Sequence, residues 1–294
     1  MKAKTVDKIA TSILYTISAF IVLLLLAFIS YILYKGWDSL NLNFLFGRPK
    51  IDSAGGGIGP QLFNSFYMLI VSLLVTIPFG LGAGIYLSEY AKEGKLLNFI
   101  RLCIETMASL PSIVVGLFGL LVFVTMTGWG YTLLSGALSI AVLNLPSMTR
   151  VSENAIRAAS AKVKEASLGL GATKWQTIKK VVLPTAIPQI VTGVILSAGR
   201  IFGEAAALLY TAGMSAPVLK YTNISLVGKA SPFSLFRPAE TLAVHIWKLN
   251  SEGIVPDAAK IANGSSAVLI LMVLIFNLIG RLIANRIYKS YSGK

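Results

Sequence analysis

Three stretches of this chain, Ile9 to Tyr34, Ser53 to Ser88 and Thr106 to Thr149, contain no Asp, Glu, Lys or Arg. A bilayer's hydrocarbon core is about 30 Å thick and a helix crossing it needs roughly 20 apolar residues. Backbone groups in lipid must be satisfied within the segment, so such runs can only be spanning helices or a buried core. A mean hydropathy of +0.75, with 55% hydrophobic and 13% charged residues over 294 positions, settles the choice. The chain is an integral, all-α membrane protein.

Ile9–Tyr34 makes the first span. It follows Lys2, Lys4 and Lys8, is too long for the apolar core of a secretory leader, and reads as an uncleaved helix. The second span follows the turn Gly55-Gly56-Gly57-Ile58-Gly59-Pro60. Thr106–Thr149 is far too long for one helix, and Gly128-Trp129-Gly130 divides it into two joined by a tight hairpin. A fifth span runs from Pro184 to about Gly213 and a sixth from Ile261 to Gly280. Residues 1–52 then form a first helix with an external segment, and 53–294 the transmembrane domain proper. In the connection 214–260, cut by Pro217, Pro232, Pro238 and Pro256, the piece Ala239–Leu249 reads as a short helix lying at the outer surface.

With both termini on one side, that side collects seventeen Lys and Arg: Lys2, Lys4, Lys8, Lys92, Lys95, Arg101, the seven between Arg150 and Lys180, Arg281, Arg286, Lys289 and Lys294. The other side has eight. The positive-inside bias places both termini in the cytoplasm of a multi-pass plasma-membrane protein, bacterial or archaeal. The net charge of +14 then serves orientation in a bilayer, and nucleic acid is not an expected partner.

Little here supports bond chemistry. One cysteine, Cys103, and one histidine, His245, exclude a disulfide and a multi-histidine metal site, so no metal and no cofactor is expected. His245 reads as a surface or interfacial residue. The Gly-Lys pairs at 94, 228 and 293 lack the flanking residues of a P-loop, and neither GxSxG nor HExxH occurs. The chain is not an enzyme, and energy for pumping has to come from a separate subunit.

On the cytoplasmic side, the loop 151–184 contains EASLGLGATKWQTIKKVVLP, residues 165–184. It reads as two short helices: Ala161–Leu170, a turn at Gly171, and a second helix capped by Thr173, with Gln176 completing a capping box. Trp175, Ile178 and Val182 fall on one face of the second helix, opposite Lys174, Lys179 and Lys180. Glu165-Ala166-Ser167, Gly171 and Val181-x-Leu183-Pro184 resemble the EAA loop of ABC importer permeases, with Ser167 and Val181 as small departures. That resemblance implies docking into a cleft of a cytoplasmic ATPase. Small residues at 166 and 167 permit close approach, Gly171 a bend, and Trp175 an anchor of the kind that dominates interfaces.

Three further segments are similar to the phosphate importer permeases: Leu110-Pro111-Ser112-Ile113-Val114-x-Gly116-Leu117-Phe118-Gly119, Gly171-Ala172-Thr173-Lys174-Trp175-Gln176-Thr177 and Arg200-x-x-Gly203-Glu204, with Asn277-Leu278-Ile279-x-Arg281 in the last span. The resemblance implies a second, related permease, a dimer of ATPase subunits, an external phosphate-binding protein, and alternating access around a low-affinity path between the permeases. The EAA pattern itself does not read cargo. Sulfate, molybdate or an organic solute are the alternatives within the class, and a self-sufficient channel or secondary carrier outside it.

Arg200 lies about 22 Å into the fifth span at 1.5 Å per residue, where an ionisable residue costs roughly 2.5–3.5 kcal/mol unless it faces a cavity or partner. Glu204, four residues on, falls on nearly the same face and is able to pair with it. Two readings stand: a structural ion pair between packed helices, aided by Gly199-x-x-x-Gly203, or an anion path in which the guanidinium fork meets phosphate oxygens and the carboxylate accepts a hydrogen bond from the proton that hydrogen phosphate carries. Arg150, after Asn144-Leu145-Pro146, marks the cytoplasmic interface or the inner mouth of that path.

Overall fold

The computed structural model describes residues 3–50, 53–219, 222, 224–228, 231–253 and 255–292, with the side chains of all of these except 162, 287, 288 and 290–292. Lys2, Lys220, Lys229 and Lys294 of the charge count, and Asp52 at the expected domain boundary, lie outside the described residues. Among those described, the ordered elements are helical: α1 (Ala3–Gly36), α2 (Leu42–Phe46), α3 (Gly59–Ile85), α4 (Lys95–Ala108), α5 (Ser112–Gly119), α6 (Leu133–Gly169), α7 (Lys174–Thr177), α8 (Leu183–Gly203), α9 (Ala206–Leu209), α10 (Leu242–Glu252) and α11 (Ala258–Ser292). Wider π-helical turns extend three of them, at Tyr86–Tyr90 after α3, Leu120–Met126 after α5, and Ile178–Val182 between α7 and α8.

Four helical stretches are long and apolar enough to cross a membrane: Ala3–Ser39, Gly59–Tyr90, Lys174–Gly203 and Ala258–Arg286. A fifth arises if Lys95–Ala108 and Ser112–Met126, bent by 97° against each other, count as one broken span. The expected count of six would also require α6. Its apolar stretch is diluted by Ser135, Ser139, Asn144, Ser147 and Arg150, and several of these are buried against neighbouring helices.

Helix α6 is central, and α3 lies along it. Glycines of α3 sit directly on α6: a Cβ at Gly80 would stand 2.6 Å from Met148 Cγ, and one at Gly84 2.5 Å from Ser152 Cβ and 2.8 Å from the Glu153 backbone nitrogen. The same device recurs where α8 meets α6, at Gly193 on Val151, and where α11 meets α8, at Gly280 on Ile195. In a membrane, where apolar burial does not distinguish protein from lipid, small residues that let backbones approach supply the van der Waals contact that holds helices together. The core so formed joins Met68 and Leu69 of α3, Leu133, Ala137 and Ile140 of α6, Ala198, Ile201 and Phe202 of α8, Leu208 of α9 and Met272 of α11. Phe202 stacks edge-on to Phe66 and Phe276, each at 5.4 Å between ring centres. Helix α1 stands apart: none of its most apolar stretch is buried, and it meets the remainder near Gly36, beside Ala267 and Asn263 of α11.

The structure corrects several boundaries. The expected separate helix Ala161–Leu170 is the end of α6, which runs unbroken from Leu133 to Gly169 because no helix-stopping residue intervenes after Pro146. Its expected partner and the fifth span likewise form one continuous helix from Lys174 to Gly203. Pro184 lies inside this helix, directly after the π turn Ile178–Val182, where the regular hydrogen-bond ladder is already interrupted. That span ends at Gly203, not near Gly213. Pro111 does not kink a span but separates α4 from α5. Its extended backbone (φ −60°, ψ 138°) and the bias it imposes on Leu110 break the helix there. The hairpin at Gly128 and Gly130 forms as expected, with both glycines at positive φ (69° and 72°). Helix α10 occupies most of the expected Ala239–Leu249 piece. It does not lie free on the surface, for Leu242 to His245 are buried against α3 and α11.

Overpacking the α3–α6 seam tests this arrangement. Gly84→Ala should lower the unfolding midpoint of the purified protein in detergent, by about 1–3 kcal/mol. Gly82→Ala, where a Cβ meets nothing within 4 Å, should leave it unchanged or raise it slightly.

Candidate functional site

The 165–184 stretch is a hairpin at one end of the molecule. Chain reversal is possible at Gly171, whose φ of +85° is open to glycine and strained for other residues. Leu170, Gly171 and Ala172 donate their N–H groups back to Ala166, Leu168 and Ser167, satisfying the last carbonyls of α6. The capping box forms as expected: Thr173 Oγ1 accepts from Gln176 N (3.3 Å), and Gln176 Oε1 accepts from Thr173 N (2.9 Å). Inside the hairpin Ser167 and Thr177 share a hydroxyl hydrogen bond of 2.9 Å, above the buried Ile178 and Val182.

Outside lie Glu165, Ala166, Leu168, Gly171, Leu170 (90% exposed) and Trp175 (57% exposed), while Leu183 and Pro184 are half-buried. Trp175 therefore does not share the buried face of Ile178 and Val182. Val182 packs against Met148, Ala155, Ile156 and Ala159 of α6, and Trp175, nearer the bend, lies outside that contact.

Helix α8 presents an exposed line at Thr185, Gln189, Thr192, Leu196 and Arg200, four of the five polar. The corresponding exposed line of α3, at Phe66, Ile70, Leu74 and Phe79, is apolar. Arg200 is exposed and has no ion pair or hydrogen bond among the described residues. Its height follows from its neighbours. A Cβ at Gly199 would lie 3.8 Å from Asn277, in the middle of α11, and Ala198 and Ile201 belong to the central core. The i,i+4 pair with Glu204 does not form, because the helix ends at Gly203 and Glu204 is extended (φ −75°, ψ 123°). Its buried carboxylate instead accepts the Ala207 N–H at 3.1 Å, closing the start of α9.

Arg150 lies toward the hairpin end of α6, salt-bridged to Glu105 of α4 at 2.9 Å with both side chains about half exposed. Beside it the nearly buried Glu153 holds Arg101 at 2.8 Å and Arg157 at 2.7 Å, around a cavity of about 170 Å³. The sequence reading counted Arg101 and Arg157 only as charges. Helix α4, which brings Arg101 to Glu153, was unforeseen.

At the opposite end lies a polar cluster that sequence reasoning missed. Arg237 is completely buried and donates to Asn64 Oδ1 (2.8 Å) and to the carbonyls of Ser231, Pro232 and Pro238. Glu240, also buried, accepts from Gln61 Nε2 (2.9 Å) and meets His245 Nδ1 at 3.2 Å, with Lys248 at 3.8 Å. His245 is thus a buried partner of a carboxylate, not a surface residue. These groups tie the start of α3 to α10 beside a cavity of about 360 Å³. The one available signal was the conjunction of Arg237, Glu240 and His245 within nine residues between prolines.

Residues 76–293 match the family of binding-protein-dependent transport system inner membrane components. The chain belongs to this family. Along nearly its whole length, 98% of each chain, this permease is 52% identical over 289 residues to the probable ABC transporter permease protein YqgI of Bacillus subtilis (strain 168). It is 30% identical over 254 residues, 85% of this chain and 80% of the relative, to the phosphate transport system permease protein PstA of Yersinia pestis. Its fold is that of solved importers. The bacterial alginate ABC transporter, in complex with an alginate pentasaccharide-bound periplasmic protein, matches with a TM-score of 0.63 at 17% identity, over 97% of this chain and 96% of that one. The inward-facing MetNI methionine ABC transporter matches with 0.59 at 20% identity, over 76% and 93%. The permease is a transport subunit of an ABC importer, embedded in a membrane, and not an enzyme.

Replacing Arg237 by Leu strips the donors from Asn64 and three carbonyls in a buried site, and should cost roughly 2–5 kcal/mol. Thermal unfolding in detergent should show a large drop for Arg237→Leu and almost none for the exposed Arg48→Leu.

Proposed function

We propose that this permease imports phosphate, with Arg200 as an anion contact on the transport path. The observation that carries the reading is an unpaired, exposed guanidinium at mid-height of the bundle, at the end of a polar line along α8. Facing lipid, it would cost roughly 2.5–3.5 kcal/mol. Facing a wet path or a second permease, it is available to oxyanions, whose geometry its planar fork matches. The likeness to phosphate transport system permeases at about 30% identity supports the cargo. The nearer relative's name specifies no substrate.

Glu204 contributes to the path through its place in the fold. Its carboxylate fixes the break between α8 and α9 directly beyond Arg200, and one oxygen remains for the proton of hydrogen phosphate. Arg150, with the Arg101–Glu153–Arg157 cluster, stands at the inner mouth. The hairpin is the socket for an ATPase dimer: Leu170 and Trp175 are exposed apolar anchors, Glu165, Ala166 and Gly171 lie on the same open surface, Ser167 braces it from within, and Leu183 and Pro184 lead its motion into α8. A second, related permease and an external phosphate-binding protein complete the assembly, with both termini of this chain in the cytoplasm. Residues 1–52 form an added first span and 53–294 the permease domain, in keeping with the separate stance of α1.

Phosphate uptake by cells expressing Arg200→Ala at normal protein levels is expected to fall at least about tenfold, the loss of one charge-assisted contact of 1.5–3 kcal/mol, with Arg200→Lys partly active. Wild-type uptake by Arg200→Ala would remove that residue from the path. Uptake of sulfate or molybdate in place of phosphate by the unaltered protein would replace the cargo.

A further inference from the structure

The hairpin is joined through the chain to two long helices, α6 on one limb and α8 on the other. It has no covalent link to α3. Nevertheless α3 reaches it. The π turn Tyr86–Tyr90 carries the end of α3 to the hairpin's base, where Glu89 Oε2 receives Lys164 Nζ at 2.7 Å and the Tyr90 ring lies under Lys174 Nζ at 4.6 Å. The Glu89 side chain is only 1% exposed, and Lys164 is its one ion-pair partner among the described residues. Lys164 belongs to the limb before Gly171 and Lys174 to the limb after it. Residues 89 and 90 are therefore gripped from both sides of the bend.

We propose that Glu89 and Lys164 are positioning residues for transport: a non-covalent handle through which movement of the hairpin is passed to α3, in parallel with the covalent route into α8. A carboxylate so buried is held to its partner, because separation leaves an uncompensated charge where water cannot reach. The pair consequently behaves as a short strut with a fixed length. The cation over the Tyr90 ring adds a second point of attachment that prevents rotation about the first. Glu93, four residues later, is by contrast largely exposed and sits 3.7 Å from Arg101. The Glu89 end of the strut lies in the π turn 86–90, where α3 departs from regular winding, and the Lys164 end in the unbroken helix α6.

The inference rests on the hairpin being the docking element for an ATPase, and does not depend on the cargo. It is tested in the assembled permease–ATPase complex in nanodiscs, in a Cys103→Ser background, with two spin-label pairs measured by double electron–electron resonance. Lys179→Cys with Arg286→Cys follows the hairpin, and Lys92→Cys with Arg286→Cys follows the inner end of α3, all three being exposed positions outside the docking anchors. Trapping with ATP and vanadate should shift both distances by about 2 Å or more. In E89Q and K164Q the hairpin shift should persist while the α3 shift falls by at least half, and the reversed pair E89K/K164E should restore it. K164Q alters a partly exposed side chain and keeps the test open if E89Q fails to assemble. An α3 shift unchanged in K164Q, or not restored by the reversed pair, overturns the handle alone. A hairpin that does not move in the unaltered complex overturns the docking reading and the handle with it.

Discussion

Close contact between α3 and α6 underlies the rest of the molecule. With lipid on the outside, no hydrophobic gain drives two apolar helices together, so what binds them is shape. Gly80 and Gly84 let the backbone of α3 settle against Met148, Ser152 and Glu153. Once these axes are close, α6 becomes an interior helix and can carry serines, an asparagine and, at its hairpin end, arginines and glutamates that a lipid-facing helix could not tolerate. Helix α8 then packs on both α6 and α3, and α11 on α8. The same small-residue contacts set each interval.

That packing determines where charge can reside. At the hairpin end Glu153 draws Arg101 and Arg157 together, locking α4 to α6. At the opposite end Arg237 and Glu240 are buried and satisfied by carbonyls of the long connection, Asn64 and Gln61. Between these two paired clusters stands Arg200, exposed and without an ion-pair or hydrogen-bond partner among the described residues. A guanidinium so placed has meaning only in relation to something beyond the chain, which is why a path or a second subunit is the natural setting for it. The break after Gly203 is part of the same design. By leaving the helix at Glu204, the chain spends the carboxylate on capping α9 and leaves Arg200 unneutralised.

The hairpin shows how local and tertiary rules divide the work. Thr173 and Gln176 write a capping box legible at a glance, and Gly171 supplies a conformation that the turn requires. These depend on neighbours in sequence, and the structure contains them. The exposure of Trp175 was not legible, because which residues of the second limb are buried depends on how far its contact with α6 extends. Likewise the i,i+4 spacing of Arg200 and Glu204 implied a pair that forms only if the helix continues, and the demands of α9 against Gly116 end it first. The anchoring of the Arg237 cluster was not legible for a related reason: Asn64 and Gln61, which tie it to α3, are more than 170 positions away.

By itself the sequence determined that the chain lives in a membrane as helices, where its tight turns fall, and that residues 165–184 form a capped hairpin of the importer kind. Each follows from composition or from contacts a few residues apart. Only the tertiary structure decided that α6 is an interior helix, that α4 and α5 part at Pro111, that His245 and Arg237 are buried with partners of their own, and that Arg200 is exposed with no ion pair among the described residues. Those outcomes depend on which helix faces meet, and in a bilayer that is governed by shape complementarity between residues far apart in the chain.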